Sequence, residues 1–462
     1  MKKIINISDK IIIVFFAVSI ILGLYGAAVN KAAGIPFQWL LVIFGACIAL
    51  FCAYNLNRLE ISLKDMTVFR YRQLTAIFCG FLIISQVITA IFADFTPIND
   101  LEYVCEGAKN IILEKDLHNG LPEYHQDYFL AYPNNHFLFM IIFILYRIEF
   151  LITGTMSDTL PTIINIFSLA VSYWLMCRCA EFIHTPSRAF ICAVRGMLFT
   201  PFITYSLFFY TDSLAMPFIT ASVYLYLKFR KSHKMKYLII CGIILGAGFK
   251  MKGNTGVLLV AVLVDFFVSD SGFNLKETAK KITAVLIPFI SVSRMISEIC
   301  IKILNISRDA LRECKFPLIH WIMMSADGRG GYNSEDFLYT QSFSGTDKVS
   351  ADLARLTLKL KNQGLFGFLA HLADKIAYTW ENFTFMAGYY YNGSFSSPVF
   401  SVTAFVCHFT VIFSILLSMN NNKNTARTFL FRLSLFGICI FLLIWETRCR
   451  YLVNFFPVFM LI

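Results

Sequence analysis

Residues 93 to 135 run from Ala93-Asp-Phe-Thr-Pro-Ile-Asn-Asp-Leu-Glu-Tyr103 to Phe129-Leu-Ala-Tyr-Pro-Asn-Asn135. The stretch follows one long apolar segment and precedes another. It gathers Asp100, Glu102, Glu106, Asp116, Glu123 and Asp127 in a chain of which only 15% is charged. A loop held against a bilayer has little passive reason to collect carboxylates. It is therefore the first candidate for a site, and Asp100 is the first candidate for a base.

Hydrophobic residues make up 57% of the chain, which fits an all-α polytopic membrane protein and not a soluble globule. Apolar runs of about 17 to 24 residues recur along the sequence, each long enough for a bilayer core. About 11–13 transmembrane helices are expected. No cleavage site follows the first run, so it reads as a helix that stays. The net charge of +11 points to basic cytoplasmic loops and not to nucleic acid. The thirteen cysteines lie mostly inside apolar runs, as at Cys47, Cys79, Cys192 and Cys241, where they behave as small hydrophobes. Their spacing supports neither a zinc site nor a disulfide framework. No metal ligands are assigned and the cofactor is left unknown, divalent metal included.

Lysine and arginine set the orientation. Lys2 and Lys3 place the N-terminus in the cytoplasm, and Arg58, Lys64, Arg70 and Arg72 do the same for loop 55–72. The run 73–92 then crosses outward, so loop 93–135 is extracytoplasmic. Within it Leu101, Val104, Cys105, Ala108, Ile111 and Ile112 form one apolar face, which predicts an interfacial helix from Asp100 to about Asp116. The basic stretch 228–236 is cytoplasmic. Counting back, 213–227 enters from outside, 189–209 crosses outward and 161–177 inward, which leaves 136–152 with both ends outside. Counting forward, 237–249 crosses outward, 254–268 returns, and 282–304 crosses outward again. Three parts follow: a transmembrane module 1–304 carrying loop 93–135, a second extracytoplasmic region 305–397, and C-terminal transmembrane helices 398–462. The last run, from Leu452, is too short to span at about 1.5 Å per residue and reads as truncated.

Lys250, Lys252, Arg448 and Arg450 fall at outer helix ends, where topology calls for no cations. A charge at membrane depth costs roughly 2.5 kcal/mol or more unless compensated. A lipid phosphate would compensate it, and guanidinium forks match phosphate oxygens. Pairing of Arg448 with Glu446, or snorkelling, is the alternative. Asp100 also reads as a helix N-cap. Asp212, beside a membrane entry, lines a cavity or caps a helix within Thr211-Asp-Ser213. Asp127 is a second acid or a turn residue. In the outer region His320 and Trp321 offer faces for a sugar, and an interfacial aromatic belt is the other reading of Trp321.

The set of an acidic outer loop, Tyr132-Pro-Asn-Asn135, Tyr210-Thr-Asp212, Lys250 in a glycine-rich helix and Glu446-x-Arg-x-Arg-Tyr451 resembles GT-C fold glycosyltransferases. The chain is similar to family 39, the protein mannosyltransferases and aminoarabinose transferases, in its divergent Gram-positive form. The likeness covers nearly the whole chain through short motifs, and only the set is specific. Asp100-Leu-Glu102 departs from the adjacent Asp-Glu of many members. The resemblance implies a GT-C-like bundle with large outer loops. It implies transfer of a sugar from a polyprenyl-phosphate donor to an extracytoplasmic acceptor, with inversion and an aspartate base. It also implies a multi-pass plasma-membrane protein with its site on the outer face. A lipid-linked sugar flippase or transporter, and a polysaccharide ligase or polymerase, are the alternative classes.

Overall fold

The computed structural model describes residues 2–29, 38–114, 116–117, 128–268, 274–421 and 425–462. Among them there are helices and turns and no strand. Among the described residues, eight helices are long and apolar enough to cross a membrane: Ile7–Val29, Gln38–Ser62, Val68–Phe92, Pro133–Thr153, Thr159–Ile183, Leu275–Ile303, Pro398–Asn420 and Arg427–Ile444. The helices Met216–Ser232, Lys236–Met251 and Gly256–Val268 are shorter. Val68–Phe92 illustrates the membrane class. It leaves Ile77, Phe81, Ile84, Ile91 and Phe92 exposed while burying Tyr71, Thr75 and Gln86. Such an inverted face is stable against lipid and not against water.

Small residues set the closest pairing. A Cβ at Gly242 would lie 2.3 Å from the Val285 carbonyl oxygen, so only glycine lets the Lys236–Met251 helix meet the backbone of Leu275–Ile303. Two buried arginines staple distant segments. Arg432 pairs with Asp9, joining the first span to the last. Arg195 donates to Ser414 Oγ at 2.9 Å, to the Ser414 carbonyl at 2.9 Å and to the Met460 carbonyl at 3.0 Å.

Two predicted runs take a different form. The run 189–209 is not one helix: Pro186–Leu198 ends before the extended residue Phe199, and a short turn Pro201–Thr204 follows. Pro201 supplies no amide hydrogen, so a continuous helix would lack the bond back to the Met197 carbonyl. The chain turns at Phe199 (φ −80, ψ 95), and Thr200 is already helical again. From Cys449 the chain forms a 3₁₀ segment to Phe455 and then the short helix Phe456–Phe459, nearly all of it buried.

The helix Asp100–Glu114 matches its expected span and buries Leu101, Val104, Cys105 and Ala108. It packs along the helix His136–Thr153, with Lys109 Nζ 5.7 Å from the Tyr146 ring centre. Tyr146 in turn donates to Asp158. Met140 touches Cys300, near the end of the Leu275–Ile303 helix. The topology count that leaves 136–152 with both ends outside calls for a re-entrant or interfacial element, whereas by length and composition Pro133–Thr153 is a candidate span.

The region 305–397 folds as helices, the longest being Asp347–Glu381, kinked at Gly364. It grips the segment after Ile444. Lys375 Nζ donates to the carbonyls of Leu443 at 2.8 Å and Trp445 at 3.0 Å. The Thr447 amide donates to the Gly330 carbonyl at 2.8 Å. Gly330 (φ 73) turns in the left-handed region, and a Cβ there would lie 2.6 Å from Lys375 Cε. These bonds fix the start of the Glu446–Tyr451 segment.

Candidate functional site

Asp100 opens its helix. Asn99 before it turns the chain at φ 54, a conformation asparagine tolerates. Both carboxylate oxygens of Asp100 are held. Tyr128 OH donates to Oδ1 at 3.0 Å and Tyr210 OH to Oδ2 at 3.1 Å. Asn135 Nδ2 donates to Tyr128 OH, and Asn135 Oδ1 lies 3.3 Å from Tyr210 OH. Burial, and then the Asp100 charge, push both phenols above their ordinary range, so they remain protonated donors. Even so held, the Asp100 side chain is 36% exposed.

Asp212 lies in the turn Thr211–Leu214 and is fully buried. Lys252 donates to its Oδ1. Lys252 has left the helix, at φ −152 and ψ 119, and its Nζ sits 4.8 Å from the Tyr451 ring centre. Asn254 donates to the Tyr451 carbonyl at 3.0 Å and pairs with the Asn454 amide, which ties this turn to the last segment.

On that segment Glu446 accepts from Arg448 Nε at 3.2 Å and from Tyr451 OH at 3.2 Å. The Arg448–Glu446 pairing weighed from the sequence is therefore present. Burial raises the Glu446 carboxyl above its usual range, against the pull of Arg448 and Arg450. Arg450 stands at the centre. Its guanidinium is 3.8 Å from Asp100 Oδ2 and 3.6 Å from Asp212 Oδ2. It also lies 5.3 Å from the Tyr210 ring centre and 5.4 Å from that of Tyr451.

Six predicted residues thus converge: Asp100, Asp212, Lys252, Glu446, Arg448 and Arg450. Lys250 does not join them. It ends its helix on another side, with His136 and Cys300 as its electrostatic neighbours. His320 is buried elsewhere, stacked on Phe316 at 4.4 Å. Its Nδ1 bonds Thr340 Oγ1 at 2.7 Å, and that hydroxyl donates to Asp352. Trp321 stacks on Trp445 at 6.2 Å, next to the Glu446 segment. Asp127 lies outside the described residues. The phenols of Tyr128 and Tyr210 and the amide of Asn135 carried no predicted role. Asn135 and Tyr210 stood in the quoted motifs Tyr132-Pro-Asn-Asn135 and Tyr210-Thr-Asp212, whereas Tyr128 had no signal beyond its place within 93–135.

Chemically, the site combines an accessible carboxylate, a sealed ion pair beneath it and two arginines on one extended segment. A hydroxyl could meet the carboxylate, and an oxyanion the guanidinium groups.

A family model described as a conserved hypothetical integral membrane protein matches residues 4–399. That range includes Asp100, Asp212 and Lys252 and ends before Glu446. No curated protein matches the chain.

Proposed function

This chain belongs to that family of conserved integral membrane proteins, and we propose that it is a glycosyltransferase of the outer membrane face. Its donor is a sugar carried on a polyprenyl phosphate, and its acceptor is a hydroxyl outside the cytoplasm. The observation that carries the reading is one distance. Arg450, a buried cation, lies 3.8 Å from Asp100, a carboxylate open to solvent. Transfer of this kind needs a base for the acceptor and a cation for the departing phosphate, side by side.

In this reading the acceptor hydroxyl gives its proton to Asp100. Its oxygen forms a bond to the anomeric carbon as the carbon–oxygen bond to phosphate breaks. The phosphate leaves with the electron pair and is received by Arg450, with Arg448 beside it. Displacement in one step inverts the anomeric centre. Tyr128 and Tyr210 fix the direction of the Asp100 lone pairs, and the Lys252–Asp212 pair forms the floor.

The test is transfer from a synthetic polyprenyl-phosphate sugar by the purified chain in nanodiscs, scored by mass spectrometry of released polyprenyl phosphate. Release that requires an acceptor supports the reading. Movement of the labelled lipid between leaflets with no cleaved product would replace it with the flippase class.

A further inference from the structure

The helices Lys236–Met251 and Leu275–Ile303 run parallel and in register. Gly242 stands against Val285 and Gly246 against Phe289, and Ser293 Oγ donates to the Gly246 carbonyl at 3.1 Å. Lys236 is therefore near the level of Lys280 and Lys281, and Lys250 near that of Arg294. No charge falls between Lys236 and Lys250, or between Lys281 and Arg294. Each uncharged stretch is only about 20 Å of helix. A hydrocarbon core is about 30 Å thick. The Val68–Phe92 helix fits that core, since no charge falls between Arg72 and Asp94, about 33 Å. Ile239, Ile243, Ile287 and Ile290 are exposed, so the short pair faces lipid. Among the described residues neither Lys250 nor Arg294 makes a hydrogen bond or an ion pair. Just past Arg294, Glu298 pairs with Arg308, with side chains 47% and 62% exposed. So open an ion pair belongs among water or headgroups, so the apolar slab has ended by that level.

We propose that this edge of the protein thins the bilayer and seats phospholipid phosphates on Lys250 and Arg294. A bilayer meets a short apolar surface by thinning, at a modest cost per ångström of mismatch. Headgroups drawn to the level of the two cations supply the counter-charge that the chain does not. Arg294 is exposed, and its fork matches two phosphate oxygens. Lys250 is half-buried beside His136 and Cys300, so its ammonium has little freedom to stretch toward a more distant surface. At the other end of the pair lies an apolar groove of about 480 Å³. Met235, Ile239, Ala284, Ile287 and Pro288 line it together with Lys280, which sets a cation beside room for an acyl chain. Lys252, two residues on from Lys250, pairs with Asp212. Phosphates drawn in along this edge thus stand level with the floor of the candidate site, whatever lipid that site uses.

The experiment reads depth from a fluorescent amino acid placed at Met295, an exposed position one residue past Arg294, in the full chain in phosphatidylglycerol nanodiscs. The quencher is either a nitroxide on the lipid headgroup or bromine midway along the lipid chains. The same label at Phe92, exposed at the end of the full-length span, gives the headgroup reference. Met295 should match Phe92 and be quenched most strongly from the headgroup. A core of about 30 Å counted outward from Lys281 would end near Ile301 and leave Met295 about 9 Å inside it. Stronger quenching of Met295 by chain bromine would therefore overturn the thinning and leave both cations reaching outward through hydrocarbon. Lys250→Leu with Arg294→Leu should shift the Met295 maximum from the headgroup quencher to the chain quencher. Arg294→Leu alone alters an exposed side chain, and it should move the signal in the same direction even where the pair fails to fold. Arg294→Lys should leave the signal at the headgroup. A maximum that stays there in the leucine variants would overturn the seating of phosphate on these two residues.

Discussion

Lys252 and Asp212 form a closed ion pair across 40 residues of sequence, with the Asp212 side chain fully buried and that of Lys252 11% exposed. Breaking such a pair on one side strands a buried charge and costs about 3–5 kcal/mol. Lys252→Met should therefore lower the melting temperature in detergent sharply. Joined to Asp212→Asn, it should cost less than the two changes summed, by about 0.5–3 kcal/mol of coupling. Strict additivity in that double-mutant cycle would mean that the pair contributes no local energy.

Asp100→Asn keeps size and an accepting oxygen but loses basicity. The Tyr128 hydroxyl can still donate to it, so melting and donor-lipid binding should change little. Turnover should fall about 10²-fold or more, the usual scale of lost general-base catalysis. Asp212→Asn is the contrast. If Asp212 only orients Lys252 and Arg450, its loss should act more on KM than on turnover. Wild-type turnover in Asp100→Asn, with collapse in Asp212→Asn, would transfer the base to position 212.

The sequence carried the convergence because charge at helix ends is legible without coordinates. Asp100, Asp212, Lys252, Glu446, Arg448 and Arg450 stood out as polar groups beside apolar runs. What failed was direction. Lys250 and Lys252 are two residues apart, and the helix ends between them. Lys250 follows the helical turn toward His136, whereas Lys252 is extended and swings to Asp212. A helix end is the least certain part of a pattern reading, and one turn decides which side a lysine serves. His320 was chosen for its aromatic surroundings, and those surroundings bury it. Tyr128 and Tyr210 escaped notice because a phenol in an apolar chain reads as packing until its hydroxyl is seen to have a partner.

The two arginines should differ from lysine in kind. Arg448 already spends its Nε on Glu446, which leaves its other two nitrogens for a ligand. Arg450 spends none. Lysine at either position keeps the charge but loses the fork, so binding of polyprenyl phosphate should weaken and not vanish. The loss should be larger at 450, about 1.5–3 kcal/mol for a charge-assisted bond, or roughly 10- to 150-fold in Kd. Equal affinity in Arg450→Lys and the wild type, measured by microscale thermophoresis in nanodiscs, would place the phosphate elsewhere.

Lys375 gives a pH dependence with a definite sign. It is almost fully buried, and burial lowers its ammonium to about 7. In the unfolded chain the group titrates near its ordinary value, about 10.4. Between these two values the unfolded state binds a proton that the folded state does not, so stability rises with pH across that window. Below about 7 the full cost of the buried charge is present, and above about 10.4 it is gone. The contribution cannot exceed about 1.4 kcal/mol per pH unit. The group also holds Leu443 and Trp445 by their carbonyls, so removing it leaves acceptors unpaired. Lys375→Met should therefore be less stable at high pH, yet it should lose the upward slope between pH 7 and 10 that the wild type shows. The difference between the two melting-temperature curves isolates Lys375 from other groups that titrate there. Parallel curves would mean that Lys375 stays protonated throughout, held by its three carbonyl neighbours at Ser325, Leu443 and Trp445.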